Sequence, residues 1–202
     1  MTIQNIPREL PDVDDVIPDR LSVQGRELPI ATVKFRTDGH RDADIAAIYG
    51  TPQNGSLVRV HSRCMLSEVL HSLECDCGWQ LRRSVELLTV QGGVLIYLDQ
   101  DGRGAGAQRK AAAYRLMHEE GLDTYEAHTK LGLPPDLRDY SAVPEVLKSL
   151  GLSSIRLLTN NPEKIEALQL GGIRVVRVPL IAKPTPTTIA YLMSKKRHGH
   201  LL

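Results

Sequence analysis

The sequence predicts a mixed α/β fold, built as a single domain of α+β character. Three observations carry that expectation. Residues 27–62 hold segments rich in β-branched residues and divided by polar turns. From residue 79 onward, helical periodicity alternates with short apolar runs. The 202-residue length, with 42% apolar and 24% charged residues, suits one packed core, and no internal repeat interrupts it.

Residues 1–20 read as a flexible leader, because Pro7, Pro11 and Pro18 break any pattern; residues 21–202 form the domain. ELPIATVKFR, DADIAAIYG and SLVRVHS are the first strands, and TPQNGS joins the last two through an Asn-Gly turn. WQLRRSVELLTVQ sets Leu81, Val85 and Leu88 on one helical face and stops at Gly92-Gly93. VLIYLD follows as a buried strand. QRKAAAYRLMHEEG is rich in helix formers and closes on Gly121. AVPEVLKSLG (helix), SIRLLT (strand), PEKIEALQLGG (helix) and IRVVRVPLI (strand) complete the series.

Cys64, Cys75 and Cys77 are the chain's three cysteines, spaced C-x10-C-x-C. Three soft ligands held this close suit Zn²⁺, placed between the N-terminal strands and the helices that follow. A vacant fourth position would let zinc lower the pKa of water toward ~7, as in a hydrolase. A structural site completed by His61 or His71 stays open on spacing alone, as does a metal-free reading. A buried apolar role sits poorly with Glu74 and Asp76 beside the thiols.

Several segments are suited to anions. DQDGRGAGAQRK follows a strand and opens a helix, so Gly102, Gly104 and Gly106 admit a close backbone approach while Arg103 can fork onto an anion. Its spacing fits neither the dinucleotide fingerprint nor the Walker A pattern, and a plain tight turn is the competing reading. In TNNPEK, Asn161 caps a helix, Pro162 takes its first position and Lys164 falls in its first turn. A cation there opposes the helix dipole unless an anion binds; a solvated lysine is the alternative. PDLRDY sets Asp136 two residues from Arg138, and RVHSR brings Arg59, His61 and Arg63 up to the first cysteine. Zinc beside several phosphate cradles points to a nucleotide.

The formal net charge of +1 gives no global argument for nucleic acid or an anionic membrane. No stretch approaches the ~20 apolar residues of a membrane span. The acidic, proline-broken N-terminus lacks secretory character, and an odd number of thiols suits a reducing cytoplasm.

RVHSRCMLSEVLHSLECDCGWQL, DQDGRGAG, DTYEAHTKLGLPPDLRDY and LLTNNPEK, in this order, resemble GTP cyclohydrolase II, which opens the riboflavin pathway. The likeness runs over residues 57–202 and more loosely from about residue 20. It implies hydrolysis of GTP at the imidazole carbon C8, with loss of formate and pyrophosphate, to a diaminopyrimidinone ribosylamine phosphate. It implies Cys64, Cys75 and Cys77 as zinc ligands and Mg²⁺ on the phosphates. It implies that GTP is bound by Arg59, Val60, His61, Ser62 and Arg63, by Gln80, by Asp101, Gly102 and Arg103, and by Thr124, Thr159 and Lys164. Asp136 matches the family's proton acceptor and Arg138 its proposed nucleophile, while Tyr114 matches a tyrosine near the ring-opening site. A homodimer of C2 symmetry is also implied.

A guanidinium keeps its proton and has no lone pair to attack with, so a phosphate clamp is easier to defend than a nucleophile; Arg138 is kept as catalytic with both roles open. The chain departs from the family pattern at Arg63 (a glutamate in the family), Asp101 (glutamate), Tyr125 (valine) and His128 (asparagine). These departures suggest a divergent member, and an alternative product is a formamidopyrimidine nucleotide. A zinc base deaminase is disfavoured, since His61-Ser62-Arg63 lacks the glutamate and Cys75-Asp76-Cys77 is too tight for its signature. A silent nucleotide-binding protein with structural zinc is the other alternative. At 202 residues the chain is too short to hold also the dihydroxybutanone-phosphate synthase domain fused to some relatives.

Overall fold

The structure, a computed structural model, describes residues 44–202 in full and the backbone of residues 16–23 and 26–34. One sheet runs through it, in the order β1 (Val16–Val23), β2 (Arg26–Lys34), β3 (Ile45–Tyr49), β5 (Gly93–Leu98), β4 (Ser56–Ser62), β6 (Ser154–Leu158), β7 (Arg174–Val178). The pairs β1–β2, β2–β3 and β3–β5 are antiparallel; β5–β4, β4–β6 and β6–β7 are parallel. The expected mixed α/β class is therefore what the chain adopts. Residues 1–15 of the expected leader lie outside the described residues, and Val16 already begins β1.

Helices fill the crossovers: α1 (Met65–Glu68), α2 (Cys77–Gln91), α3 (Ala107–Glu120), α4 (Thr124–Lys130), α5 (Val143–Ser149), α6 (Pro162–Leu170) and α7 (Ile189–Arg197). Strand β4 is buried over Leu57–His61, as a strand covered on both faces must be. On one face Val58 and Val60 join Ile96, Leu98, Val143, Leu147 and Leu168 in the larger core. On the other, Leu57, Leu95 and Leu158 pack on Leu88, with Trp79, Leu81 and Val85 of α2 against them. The predicted apolar face of α2 is thus the one that docks.

Helix α2 runs into β5 with only Gly92 between them. Gly93 must be glycine: its φ is +135°, and a Cβ there would lie 2.0 Å from the Leu57 carbonyl oxygen of the neighbouring strand.

The chain leaves β4 to build β5 on one side and later β6 on the other. That reversal makes the carboxyl ends of β4, β5 and β6 a topological switch point, where open α/β sheets place ligands. Ser62, Leu98 and Leu158 end these strands, and each is followed by a segment singled out above: the cysteine segment, the glycine turn and TNNPEK.

Helices α1, α4 and α7 were not expected from the sequence. Helix α4 begins with a capping box in which Asp123 accepts from the Glu126 backbone and the Glu126 side chain accepts from the Asp123 backbone. The last strand is shorter than IRVVRVPLI, ending at Val178.

Candidate active site

The three cysteines converge although Cys64 follows β4 and Cys77 opens α2. Their sulfurs lie within 4.8 Å of one another, and the Cys64 and Cys75 sulfurs are 3.7 Å apart. Tetrahedral zinc with bonds of about 2.3 Å sets its sulfurs about 3.8 Å apart, so the donor set fits that metal. All three thiols are free of disulfide bonds. Lys110 of α3 donates to Cys64 Sγ at 2.7 Å and stands 3.6 Å from Asp101. Burial opposes its charge, but the three cysteine sulfurs outweigh this and raise its pKa.

His61 is not part of that cluster. Its Nδ1 accepts from Arg59 at 3.1 Å and its Nε2 donates to Glu68 at 2.7 Å. Glu68 also accepts from the Cys64 backbone N–H at 2.8 Å and from the Tyr97 hydroxyl at 2.6 Å. His71 is exposed. Neither histidine acts as a fourth ligand in this arrangement.

Beside the thiols lies a two-lobed cleft. One lobe, open to solvent, is walled by Arg59, Gln80, Arg138, Thr159 and Lys164 among others. The other contains Cys64, Lys110, Tyr114, Thr124 and His128. Ser62, Cys77, Arg103, Arg138 and Tyr191 border both lobes, so the metal cluster and the cationic lobe share walls.

The cationic lobe is built at some electrostatic cost. Arg59 is buried on β4, donating to the Leu158 carbonyl at 2.8 Å and to Gln80 Oε1 at 2.7 Å. Burial brings its pKa down to about 10. Lys164 is only 4% exposed, and its ammonium donates to the Val60 carbonyl at 2.8 Å. Burial, then the charges of Arg59 and Arg138, push its pKa well below the ordinary lysine value. A solvated lysine is thereby excluded. Cations crowded together in a cleft are relieved by a polyanion.

Asp136 and Arg138 are paired: the Arg138 Nε donates at 2.9 and 3.1 Å and its NH2 at 2.5 Å. Burial alone would raise the Asp136 pKa, but the Arg138 fork holds it below the usual value. Burial likewise opposes the charge of Arg138, yet Tyr140 and Asp136 outweigh it and raise its pKa. The guanidinium stays protonated and faces both lobes.

The glycine turn braces this pair. Gly102 and Arg103 have φ of 59° and 58°, the latter a left-handed conformation uncommon for a side-chain-bearing residue. The Leu137 N–H donates to the Arg103 carbonyl at 2.9 Å, and Arg103 lies 3.6 Å over the Tyr125 ring. Gly104, at φ +85°, passes so close to the Leu137 carbonyl that a Cβ would stand 2.8 Å from its oxygen.

Most of the residues expected at the site do line the cleft. Four do not. The Val60 side chain belongs to the core, and only its carbonyl reaches toward the cleft, through Lys164. Asp101 is turned inward, accepting from the Met65 N–H at 2.8 Å and the Gly102 N–H at 2.6 Å. Asp136 lies behind Arg138, and Cys75 behind Cys64 and Cys77. Arg63 lines the metal-side lobe, paired with Asp99 at 2.9 Å.

The sequence reading passed over Glu68, Tyr97, Lys110, Asn160, Tyr191, Lys195 and His200. Lys195 donates to Asp76 at 2.6 Å, gripping the residue between two cysteines. Glu68, Lys110 and Asn160 fall inside segments singled out above, but no local motif marks the other four; the roles of all seven come from contacts between distant segments.

Fold and cleft together define an α/β protein whose three-thiol cluster, fit to hold a metal, borders a cationic pocket at the carboxyl edge of a sheet. The GTP cyclohydrolase II family model matches residues 22–179, and the chain belongs to that family. It is 44% identical over 162 residues to GTP cyclohydrolase-2 of Archaeoglobus fulgidus, covering 78% of this chain and 43% of that protein. It is 41% identical over 175 residues to GTP cyclohydrolase-2 of Actinobacillus succinogenes, covering 84% and 80% respectively. To the riboflavin biosynthesis protein RibBA of Endomicrobium trichonymphae it is 44% identical over 167 residues, covering 80% and 41%. The chain thus spans about two fifths of the length of two of these relatives. Among the described residues no helix is long and apolar enough to cross a membrane.

Proposed function

We propose that the protein is a GTP cyclohydrolase II, hydrolysing the imidazole ring of GTP with release of formate and pyrophosphate. One observation carries this reading: the three-thiol cluster and the cationic lobe share Ser62, Cys77 and Arg138 as walls. A single ligand can therefore set a ring against the metal and its phosphates among the cations.

Cys64, Cys75 and Cys77 would hold the zinc, which when bound would supply Lewis acidity toward water at neutral pH. The rest is work for the protein's side chains. Lys110 offsets thiolate charge at Cys64. Arg59, Lys164 and Arg138 attract the phosphates, with Mg²⁺ sharing their charge. Asp136 fixes the guanidinium of Arg138, which clamps the α-phosphate as pyrophosphate departs. Asp136 is engaged by Arg138 rather than poised over the cleft, so its role is to position. On the metal side, His128 is 1% exposed and its Nδ1 has no partner among the described residues, leaving it available to the nucleoside. The Tyr114 hydroxyl lies beside Cys75.

Incubating zinc-loaded protein with GTP and Mg²⁺, and following formate and pyrophosphate separately, tests the reading. Equal release of both is the expected result. Pyrophosphate without formate, with a ring-opened formamide in the nucleotide product, would indicate a formamidopyrimidine, a reading favoured by Arg63 and His128 standing in the metal-side lobe. Ammonia, or neither product, would overturn the proposal. Family likeness supports a homodimer and the free thiols support a reducing cytoplasm, with a free nucleotide as substrate.

A further inference from the structure

Resting on the reading of the cleft as a nucleoside triphosphate site, we propose that His200 is a further phosphate-binding residue, donating a hydrogen bond to a phosphate oxygen. His200 lies beyond the stretch matched by the family model, which ends at residue 179. It nevertheless lines the cationic lobe, together with Tyr191 and Lys195 of α7.

The placement is built rather than incidental. The His200 N–H donates to the Lys195 carbonyl at 3.0 Å, and the Leu201 N–H donates to the Asn160 carbonyl at 2.8 Å. Asn160 belongs to TNNPEK, and its side chain is held in turn by both backbone groups of Leu180. Arg177 donates to the Leu201 carbonyl. Helix α7 is tied at its other contacts by Lys195 to Asp76 and by Arg197 to Asp123. His198 stacks on Tyr125 with ring centroids 3.5 Å apart. The imidazole of His200 is therefore delivered into the cleft by a segment anchored to the thiol loop, the α4 cap and the TNNPEK turn.

His200 lines the cleft, and its Nδ1 is buried with no hydrogen-bond partner among the described residues. A buried polar atom left unpaired is costly, so its place in a ligand cleft is explained if the ligand completes it. The surrounding charges say what that ligand is. Burial, then Lys195, Arg138, Arg103 and Lys164, bring the imidazole down to about 3, so it sits neutral among four cations. A neutral imidazole carries one N–H, and the tautomer with the proton on Nδ1 presents a donor. The matching acceptor in a field of cations is a phosphate oxygen. Lys195 and Arg138 are paired with Asp76 and Asp136, so a base or ribose would leave chiefly Lys164 and Arg103 unanswered.

The test is the binding of inorganic tripolyphosphate, GTP and guanosine to the zinc-loaded full chain, by calorimetry, for wild type, H200A, H200Q and H200F. H200A and H200F should weaken tripolyphosphate and GTP about tenfold, or about 1.4 kcal/mol, and leave guanosine unchanged. H200Q keeps an amide donor and should recover most of the loss. H200F fills the space without a donor, so it decides the matter if H200A does not fold; melting temperature and zinc content establish that each variant is intact. Wild-type affinity for tripolyphosphate in H200F, or an equal loss for guanosine, would overturn the assignment. Tripolyphosphate binding that depends on His200 in a protein releasing no formate from GTP would sustain this inference and sink the proposed function. A wild type that binds no polyphosphate would sink both.

Discussion

Arg138 grips the Asp136 carboxylate with three side-chain hydrogen bonds and donates a fourth from its own backbone N–H at 3.0 Å. Two residues apart in sequence, they form one rigid unit on a loop that the glycine turn supports from below. The fork fixes the plane of the guanidinium, which is what a phosphate clamp requires.

Arg138→Lys keeps the charge and discards the fork. Pyrophosphate release should fall by on the order of 100-fold in kcat. The nucleotide should still bind, because Arg59 and Lys164 remain. Near-normal turnover in this variant would show that the planar geometry is unimportant.

Gly104→Ala asks for a side chain where the Leu137 carbonyl oxygen would be 2.8 Å away, at a φ that disfavours one. A loss of about 1–3 kcal/mol in urea denaturation is expected, together with reduced turnover as the 135–140 loop shifts. Unchanged stability would mean that the turn and loop are not in contact.

Cys75→Ser removes one sulfur from a set compact enough for tetrahedral metal. Elemental analysis should find about one zinc per chain in the wild type and much less in the variant, with formate release abolished. A variant that retains its zinc would reject the three-thiol centre.

Protonation of His200 supplies a pH dependence with a definite sign. Its folded pKa, about 3, lies below the ordinary value of about 6.5. Between those values the unfolded chain binds the proton and the folded one does not, so stability falls as pH drops through that window and is level above it. Burial, then Arg103, shifts His128 in the same direction. Thermal melts from pH 8 to 5 should show a shallower decline for H200Q than for wild type, any acid release of metal being common to both. Parallel curves would place the imidazole in contact with water.

The sequence made six of the seven strands and most helices legible because their periodicities are local, while β1 fell largely in the stretch read as a leader. Leu81, Val85 and Leu88 announce the docked face of α2, and Asn161-Pro162 announce the start of α6. Helix α4 opens with the D-T-Y-E capping box but is only seven residues long, too few for a clear apolar stripe. Helix α7 carries Lys195, Lys196 and Arg197 in its last turn, and its place is set by ion pairs with Asp76 and Asp123. The burial of Lys164 was equally beyond reach: a lysine in a first turn looks the same in sequence whether it meets water or the Val60 carbonyl. What joins distant strands has no signature in any one of them.

Glu68 has a consequence for how a ligand meets this cleft. By accepting from the Cys64 backbone and from His61, which in turn holds Arg59, it fixes the interval between the sulfur cluster and a buried cation. That interval is a dimension of the folded chain, settled before any nucleotide arrives. The cleft is a gauge of set length: a molecule is measured from ring to phosphate on entry, with little entropy left to lose in closing around it.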